Sequence, residues 1–145
     1  MVDRDVVMAK IGIIKRCLLR IKEVTGLKPD SLEDITKQDV FVLNLQRAAQ
    51  AAIDLAAHVV ASEGYGVPQD LKETFTILSG AHVIDGQTSQ KMQKMVGFRN
   101  VAVHEYQDLN PAILKSVLTG GLGDFEDYYS QVVEHFGLSN QRRSG

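Results

Sequence analysis

The apolar residues of this 145-residue chain recur at helical spacing along almost its whole length. In the first segment, residues 3 to 25, steps of four and three alternate and draw one apolar stripe along a helix. The residues of that stripe are Val7, Ile11, Ile14, Leu18 and Ile21. No segment alternates apolar and polar residues for long enough to predict a strand. The spacing therefore predicts an all-α fold, an antiparallel bundle of about five helices.

Capping residues mark the end of the first helix and the start of the second. Gly26 follows the apolar stripe and is expected to end the first helix. Thr36, with Asp39 three residues later, resembles a capping box and predicts the start of a second helix. That helix is long and rich in alanine, and its small side chains permit close approach of neighbouring helices. We therefore place it at the centre of the bundle.

Proline and glycine divide the rest of the chain. Pro68 is well placed to open a short third helix, and Thr88 is a suitable N-cap for a fourth. Pro111, after Asn110, restarts a helical pattern that continues to residue 136. The glycines at 120, 121 and 123 predict a kink or a division within that last segment.

Length and composition indicate a single domain. With 44% hydrophobic and 23% charged residues, the chain can bury a core of ordinary size. We expect residues 1–138 to form one helical domain and residues 139–145 to form a flexible tail. The formal net charge of −2 excludes a strong overall attraction to nucleic acid or anionic lipid. Any RNA contact must therefore come from a local patch.

Residue spacing argues against several other kinds of site. Cys17 is the only cysteine, which excludes an intrachain disulfide and favours a buried residue in a reducing cytosol. His58, His82 and His135 lack the spacing of a zinc motif. No apolar run approaches the roughly 20 residues of a membrane span. We expect no metal, no cofactor and no membrane contact.

One segment of the predicted fourth helix combines four polar groups: Arg99, Asn100, His104 and Tyr106. On a continuous helix, which advances about 100° per residue, His104 lies some 40° from Asn100 and Tyr106 some 20° from Arg99. Asn100 and His104, four residues apart, can hydrogen-bond directly. Arg99 and His104 lie about 140° apart, so the arginine must reach round the helix or serve a site completed by another chain. The second option predicts a dimer.

Gly97 lies on the same side of this helix as His104, two turns earlier. A glycine inside a helix costs roughly 1 kcal/mol relative to alanine. The missing side chain would let a phosphate or a partner backbone approach closely. Gly97 is therefore a candidate close-approach position.

These residue types can cleave a phosphodiester. Histidine moves a proton near neutral pH, arginine holds a phosphate and stabilises developing charge, and asparagine can orient the imidazole. No metal is required when the 2′-hydroxyl of RNA is the nucleophile, because that attack is intramolecular. The same side chains could instead form a satisfied polar seam between helices. The residue types alone leave both interpretations open.

The order of these residues resembles the signature of HepT-like toxins, a branch of the α-helical HEPN superfamily. The resemblance rests on the pattern Arg99-Asn100-x-x-x-His104-x-Tyr106, preceded by the sequence Met-Val-Gly-Phe at 95–98. Three further features are similar to that family: the alanine-rich second helix, the Val67-Pro68 turn before a helix containing Phe75, and the closing pattern Leu122-x-Asp124-Phe125.

The resemblance implies a metal-independent endoribonuclease toxin that forms a homodimer, with two copies of the motif facing a shared cleft. It implies Arg99 and His104 as the catalytic pair, supported by Asn100. It also implies a minimal nucleotidyltransferase antitoxin as partner, which in this family adenylylates the motif tyrosine, here Tyr106. A phosphodiester on that tyrosine would place negative charge beside Arg99 and bulk in the cleft.

A second function stays open at this point. The chain could be a non-catalytic module that binds the nucleotidyltransferase and presents Tyr106 or a nucleotide to it. Basic residues near the cleft would favour the nuclease, and an acidic cleft would favour the module.

Overall fold

The computed structural model describes residues 1–138, and the expected flexible tail, residues 139–145, lies outside them. Within residues 1–138 the chain forms six α-helices and no strand. These are α1 (Arg4–Thr25), α2 (Ile35–Glu63), α3 (Leu71–Gly80), α4 (Gly86–His104), α5 (Pro111–Ser116) and α6 (Gly123–Phe136). Short 3₁₀ turns cover Pro29–Glu33 and Tyr106–Asp108, and a π-helical turn, Val117–Gly121, joins α5 to α6. The all-α prediction is confirmed, with the last predicted segment divided in two.

The first helix, α1, packs along α2 and is capped at both ends. The Asp3 carboxylate accepts hydrogen bonds from the backbone N–H groups of Asp5 and Val6. At the other end, Gly26 takes a left-handed conformation with a φ of 60°, as its position predicts. Four of the five predicted stripe residues are buried, and Leu18 is partly buried. The apolar stripe therefore faces the core.

The second helix, α2, lies at the centre of the bundle, as predicted, and contacts α1, α3, α4 and α6. The alanines at 48, 49, 51, 52 and 56 are at most 3% exposed, which lets these helices approach closely. The predicted capping box is wrong. The N-cap is Asp34, whose carboxylate accepts hydrogen bonds from the backbone N–H groups of Thr36 and Lys37. Thr36 is therefore inside the helix and does not cap it. Asp39 makes a tertiary contact instead.

Aspartates also begin α3 and α4. Asp70, not Pro68, precedes α3 and accepts the N–H of Glu73 at 2.8 Å. Asp85, not Thr88, caps α4, and the N–H of Thr88 donates to its carboxylate at 2.7 Å. Both corrections have one cause. An aspartate carboxylate accepts charge-assisted hydrogen bonds from the free backbone N–H groups of the first turn, so it forms the cap.

The glycines near residue 120 divide the last helical segment, as predicted. A Cβ added to Gly121 in the π-helical turn would lie 3.2 Å from the Val117 side chain and 3.4 Å from that of Met95 on α4. This close approach favours glycine. The following helix, α6, buries Tyr128, whose hydroxyl donates to a backbone carbonyl of α2 at 2.9 Å. The divided segment is thus anchored on both α4 and α2.

Candidate active site

The C-terminal part of α4 carries four of the five predicted site residues: Gly97, Arg99, Asn100 and His104. Gly97 and Arg99 are partly buried, whereas Asn100 and His104 are exposed. Because α4 is continuous as far as His104, the five-residue step from Arg99 places these two side chains about 140° apart. The helix therefore presents the guanidinium and the imidazole in different directions.

Tyr106 does not lie on α4. The helix ends at His104, Glu105 has a φ of −142° and a ψ of 48°, and Tyr106 begins a 3₁₀ turn. The prediction that Tyr106 lies about 20° from Arg99 on one helix face is therefore wrong. The Tyr106 hydroxyl donates a hydrogen bond to the carboxylate of Asp39 on α2, 67 residues earlier in the chain. This tertiary contact holds the phenol against α2.

The surroundings of Tyr106 keep its phenol protonated. The residue is 41% exposed, which leaves its hydroxyl at the surface of the protein. Partial burial, the hydrogen bond to Asp39 and the charge of that carboxylate together raise the pKa of Tyr106 to about 12. Each of these causes disfavours the phenolate. At neutral pH the phenol is therefore a hydrogen-bond donor and a poor proton carrier.

Arg99 and Asn100 contact each other directly. The Nη1 of Arg99 donates to Oδ1 of Asn100 at 3.0 Å. The Nε of Arg99 is buried and has no hydrogen-bond partner within residues 1–138. A buried donor without an acceptor costs about 1–3 kcal/mol. A conformation of the side chain that brings Nε to an acceptor, such as a phosphate oxygen, would therefore be stabilised.

The predicted hydrogen bond between Asn100 and His104 is not present in the described part of the chain. The amide oxygen of Asn100 is taken by Arg99, its neighbour in sequence, and not by the imidazole one turn later. His104 is the last residue of α4 and is exposed. Its imidazole can therefore reach a substrate or a second chain.

A lysine that the sequence analysis did not single out lies beside the motif. Lys72 is in the first turn of α3, and a Cβ built on Gly97 would lie 3.7 Å from its Nζ. The Lys72 ammonium therefore lies beside the face of α4 that Gly97 leaves without a side chain. Lys72 and Asn100 also line a groove of about 590 Å³ between the two helices. Residues 72 and 97 meet only through helix packing, so the sequence does not predict this contact. Its one indication of a special site was Gly97, a glycine that destabilises the helix.

Two grooves beside the motif each contain one lysine and one aspartate. The Lys72 ammonium is the charged group nearest to the space that Gly97 leaves open. Lys94 lines a second groove, of about 310 Å³, that also includes Gly97. Each groove contains one aspartate, and that of the first, Asp70, caps α3. The charges that line each groove therefore balance and favour neither the nuclease nor the substrate-presenting module.

Other polar groups have structural partners. His58 accepts the N–H of Asp3 at 3.0 Å, and Lys91 pairs with Asp124 at 3.5 Å. Cys17 is buried, as predicted, and burial raises the pKa of its thiol.

Among residues 1–138, no group of three or more His, Cys, Asp or Glu side chains could hold a metal ion. In the same part of the chain, no helix is long and apolar enough to cross a membrane.

The arrangement suits chemistry on a phosphate diester. A guanidinium and an ammonium group can hold the phosphate, and an imidazole can move a proton near neutral pH. These groups come from two helices, α3 and α4, that pack against each other.

Comparison with known proteins agrees with this chemistry. The model of the HepT-like family, described as ribonuclease HepT-like, matches residues 14–132. The chain is 42% identical over 124 residues to an mRNA nuclease HepT of Shewanella oneidensis, covering 86% of this chain and 93% of that protein. It is 24% identical over 132 residues to a tRNA nuclease HepT of Aphanizomenon flos-aquae, covering 90% of each.

Solved structures share the fold. A tri-AMPylated HEPN toxin of Shewanella oneidensis in complex with an MNT antitoxin superposes with a TM-score of 0.84 at 40% identity, over 90% of this chain and 98% of that chain. A cytosolic protein of unknown function from Bacillus subtilis superposes with a TM-score of 0.82 at 12% identity, over 97% of this chain and 96% of that chain. The second likeness concerns the fold alone.

Proposed function

We propose a catalytic site for this chain, which belongs to the HepT-like family of ribonucleases. The protein is an endoribonuclease toxin of a toxin–antitoxin pair, inactivated through adenylylation by a nucleotidyltransferase antitoxin. In our proposal, Arg99 binds the scissile phosphate and His104 moves the proton. Asn100 holds the arginine, and no metal ion takes part.

The surroundings of Arg99 carry this proposal. Its Nε is a buried donor with no acceptor in residues 1–138, and its Nη1 is held by Asn100. A turn of the guanidinium that brings Nε to the surface would let a phosphate oxygen supply the missing acceptor, through a charge-assisted hydrogen bond. Lys72, beside the space left by Gly97, adds a second positive charge for the RNA backbone.

Cleavage proceeds through the 2′-hydroxyl of the RNA. The neutral imidazole of His104 accepts the hydroxyl proton as the oxygen attacks phosphorus. The bond from phosphorus to the 5′-oxygen of the next nucleotide breaks, and that oxygen takes a proton from water, while the imidazolium of His104 later returns its proton to water. Arg99 stabilises the charge that develops on the phosphate. The products end in a 2′,3′-cyclic phosphate and a 5′-hydroxyl.

A homodimer brings the two catalytic groups together. Arg99 and His104 lie about 140° apart on a continuous helix, so we pair the arginine of one protomer with the histidine of its partner. Val103, 41% exposed beside His104, offers apolar surface for such a contact. Two motifs then face one cleft, and each pair of Arg99 with the partner's His104 forms one site.

We infer that Tyr106 is the residue that the antitoxin modifies. Its hydroxyl is at the surface and lies two residues after His104, so the phenol oxygen is open to a second protein. An adenylyl group there would add a negative charge and bulk close to the catalytic imidazole. Substrate phosphate would then be repelled from the cleft.

We place this activity in the cytoplasm, where RNA and ATP are available, and assign it to one domain of residues 1–138. The family match to residues 14–132 supports the domain, because it extends from α1 into α6.

RNA cleavage by the purified protein in the presence of EDTA tests the proposed site. Arg99→Ala and His104→Ala should each lower kcat/KM by about 100-fold or more without changing helix content. Arg20→Ala, an exposed arginine on α1, is the matched control and should cleave like the wild type. Loss of wild-type activity in EDTA, restored by a divalent ion, would refute the metal-free mechanism.

A further inference from the structure

We propose that Asp39 accepts the phenol proton when Tyr106 is adenylylated, so that the toxin chain supplies the base for its own inactivation. The inference rests on the proposed modification of Tyr106. It assigns one part of that chemistry to this chain and leaves the binding of ATP to the antitoxin.

The step balances with ATP as the co-reactant. The phenol oxygen of Tyr106 forms a bond to the α-phosphorus, and the bond from that phosphorus to the oxygen bridging the α- and β-phosphates breaks. Pyrophosphate leaves with the electron pair. The phenol proton passes to the carboxylate of Asp39, which becomes neutral and later loses the proton to water.

The geometry already joins the donor and the acceptor. The Tyr106 hydroxyl donates to Oδ1 of Asp39, and among residues 1–138 it has no other hydrogen-bond partner. Both residues are exposed, so a second protein can reach the phenol oxygen without opening the core. Ile35 and Leu43 lie one turn before and after Asp39 on α2 and are 66% and 43% exposed. They offer apolar surface to an antitoxin that delivers ATP to this face.

A base is needed because the free phenolate is scarce. With the pKa of Tyr106 raised to about 12, only about one phenol in 30,000 is ionised at pH 7.5. The proton must therefore leave during the attack on phosphorus. A positioned general base typically contributes about 10²- to 10⁴-fold to such a step.

Two roles for Asp39 predict opposite effects of Asp39→Asn. If the carboxylate only suppresses ionisation, its removal lowers the pKa of Tyr106 part of the way toward 10, because burial, the largest cause of the raised pKa, remains. The phenolate fraction would then rise, by less than about 100-fold. Modification would then become faster. If the carboxylate accepts the proton, modification should slow by about 100-fold or more at neutral pH.

The experiment measures adenylylation of the full chain by a saturating amount of its nucleotidyltransferase with ATP and Mg²⁺, between pH 6.5 and 9.5. Asparagine keeps an oxygen that can accept the phenol hydrogen bond, so Asp39→Asn removes the base and retains the contact. We expect kcat for adduct formation to fall about 100-fold at pH 7.5. As the pH rises, the ratio of the variant's rate to the wild-type rate should increase by about tenfold per pH unit. The reason is that only the phenolate reacts in the variant, whereas Asp39 removes the proton in wild type.

Controls separate this effect from a structural one. Asp127→Asn removes the same charge from an exposed position on α6 and should leave the rate unchanged. Circular dichroism should show equal helix content in all variants, and Asp39→Glu should restore part of the rate. An NMR titration of the tyrosine rings, assigned with Tyr106→Phe, should show the pKa of Tyr106 falling toward 10 in Asp39→Asn.

The possible outcomes distinguish the inference from the proposed function. A rate for Asp39→Asn equal to or above that of wild type overturns the role of Asp39 and leaves the modification of Tyr106 standing. A slow variant whose relative rate does not rise with pH also overturns it, because the loss would then be structural. If wild type carries no adduct on Tyr106, the proposed modification fails, and this inference fails with it.

Discussion

Gly97→Ala should stabilise the fold and weaken RNA cleavage at the same time. Gly97 lies inside α4, where glycine is roughly 1 kcal/mol less favourable than alanine. The new Cβ would lie 3.7 Å from Nζ and 4.0 Å from Cε of Lys72, an ordinary contact with the end of a flexible side chain. The fold can accept the methyl group. We therefore expect a gain of about 1 kcal/mol in the free energy of unfolding, or roughly 3 °C in Tm.

The functional effect has the opposite sign. The methyl group would fill the space beside the Lys72 ammonium, through which we expect an RNA phosphate to approach α4. A phosphate held farther from the ammonium weakens transition-state binding. We expect kcat/KM for RNA cleavage to fall about tenfold, which corresponds to about 1.4 kcal/mol.

Thermal unfolding and initial cleavage rates in EDTA measure the two effects. Gly12→Ala in α1 is the matched control, since its Cβ would lie 3.9 Å from the nearest side-chain atom, Nη1 of Arg16. That variant should gain similar stability and keep full activity. A Gly97→Ala variant with full activity would refute the close-approach role, and one with a lower Tm would refute the packing described around Lys72.

Three further predictions concern regulation, RNA binding and assembly. Tyr106→Phe should still cleave RNA but escape modification; an adduct on another tyrosine, or a variant as inactive as His104→Ala, would contradict this assignment. Lys72→Met should weaken RNA binding about fivefold and reduce the slope of log affinity against log salt by about one, whereas unchanged binding would remove Lys72 from the site. Sedimentation should show a dimer at micromolar concentration, and a monomer would contradict the composite site.

The sequence predicts the helices well because their positions and ends depend on the spacing of residues that are close in the chain. The stripe from Val7 to Ile21, the end at Gly26 and the division near Gly121 all follow from the periodicity of apolar residues or from the backbone freedom of glycine. Caps were less predictable, because Thr36 and Thr88 each have an aspartate two or three residues earlier that takes the free amides.

The parts of the site that depend on packing were not predictable. The helical pattern predicts that α4 extends to Tyr106, whereas the chain leaves the helix at Glu105 and the phenol hydrogen-bonds to Asp39 on α2. Lys72 reaches Gly97 only because α3 packs on α4. Spacing along one helix contains no information on such contacts. It did identify the segment of α4 that bears the motif.

The central claim is that one active site combines Arg99 of one protomer with His104 of its partner. Mixing Arg99→Ala with His104→Ala protein, each inactive alone, and allowing subunits to exchange tests it directly. Half of the dimers would then be mixed, each with one intact site, so about a quarter of the wild-type RNA cleavage should return. If cleavage stays at the level of the separate variants in dimers shown to have exchanged, the two residues do not act across the interface.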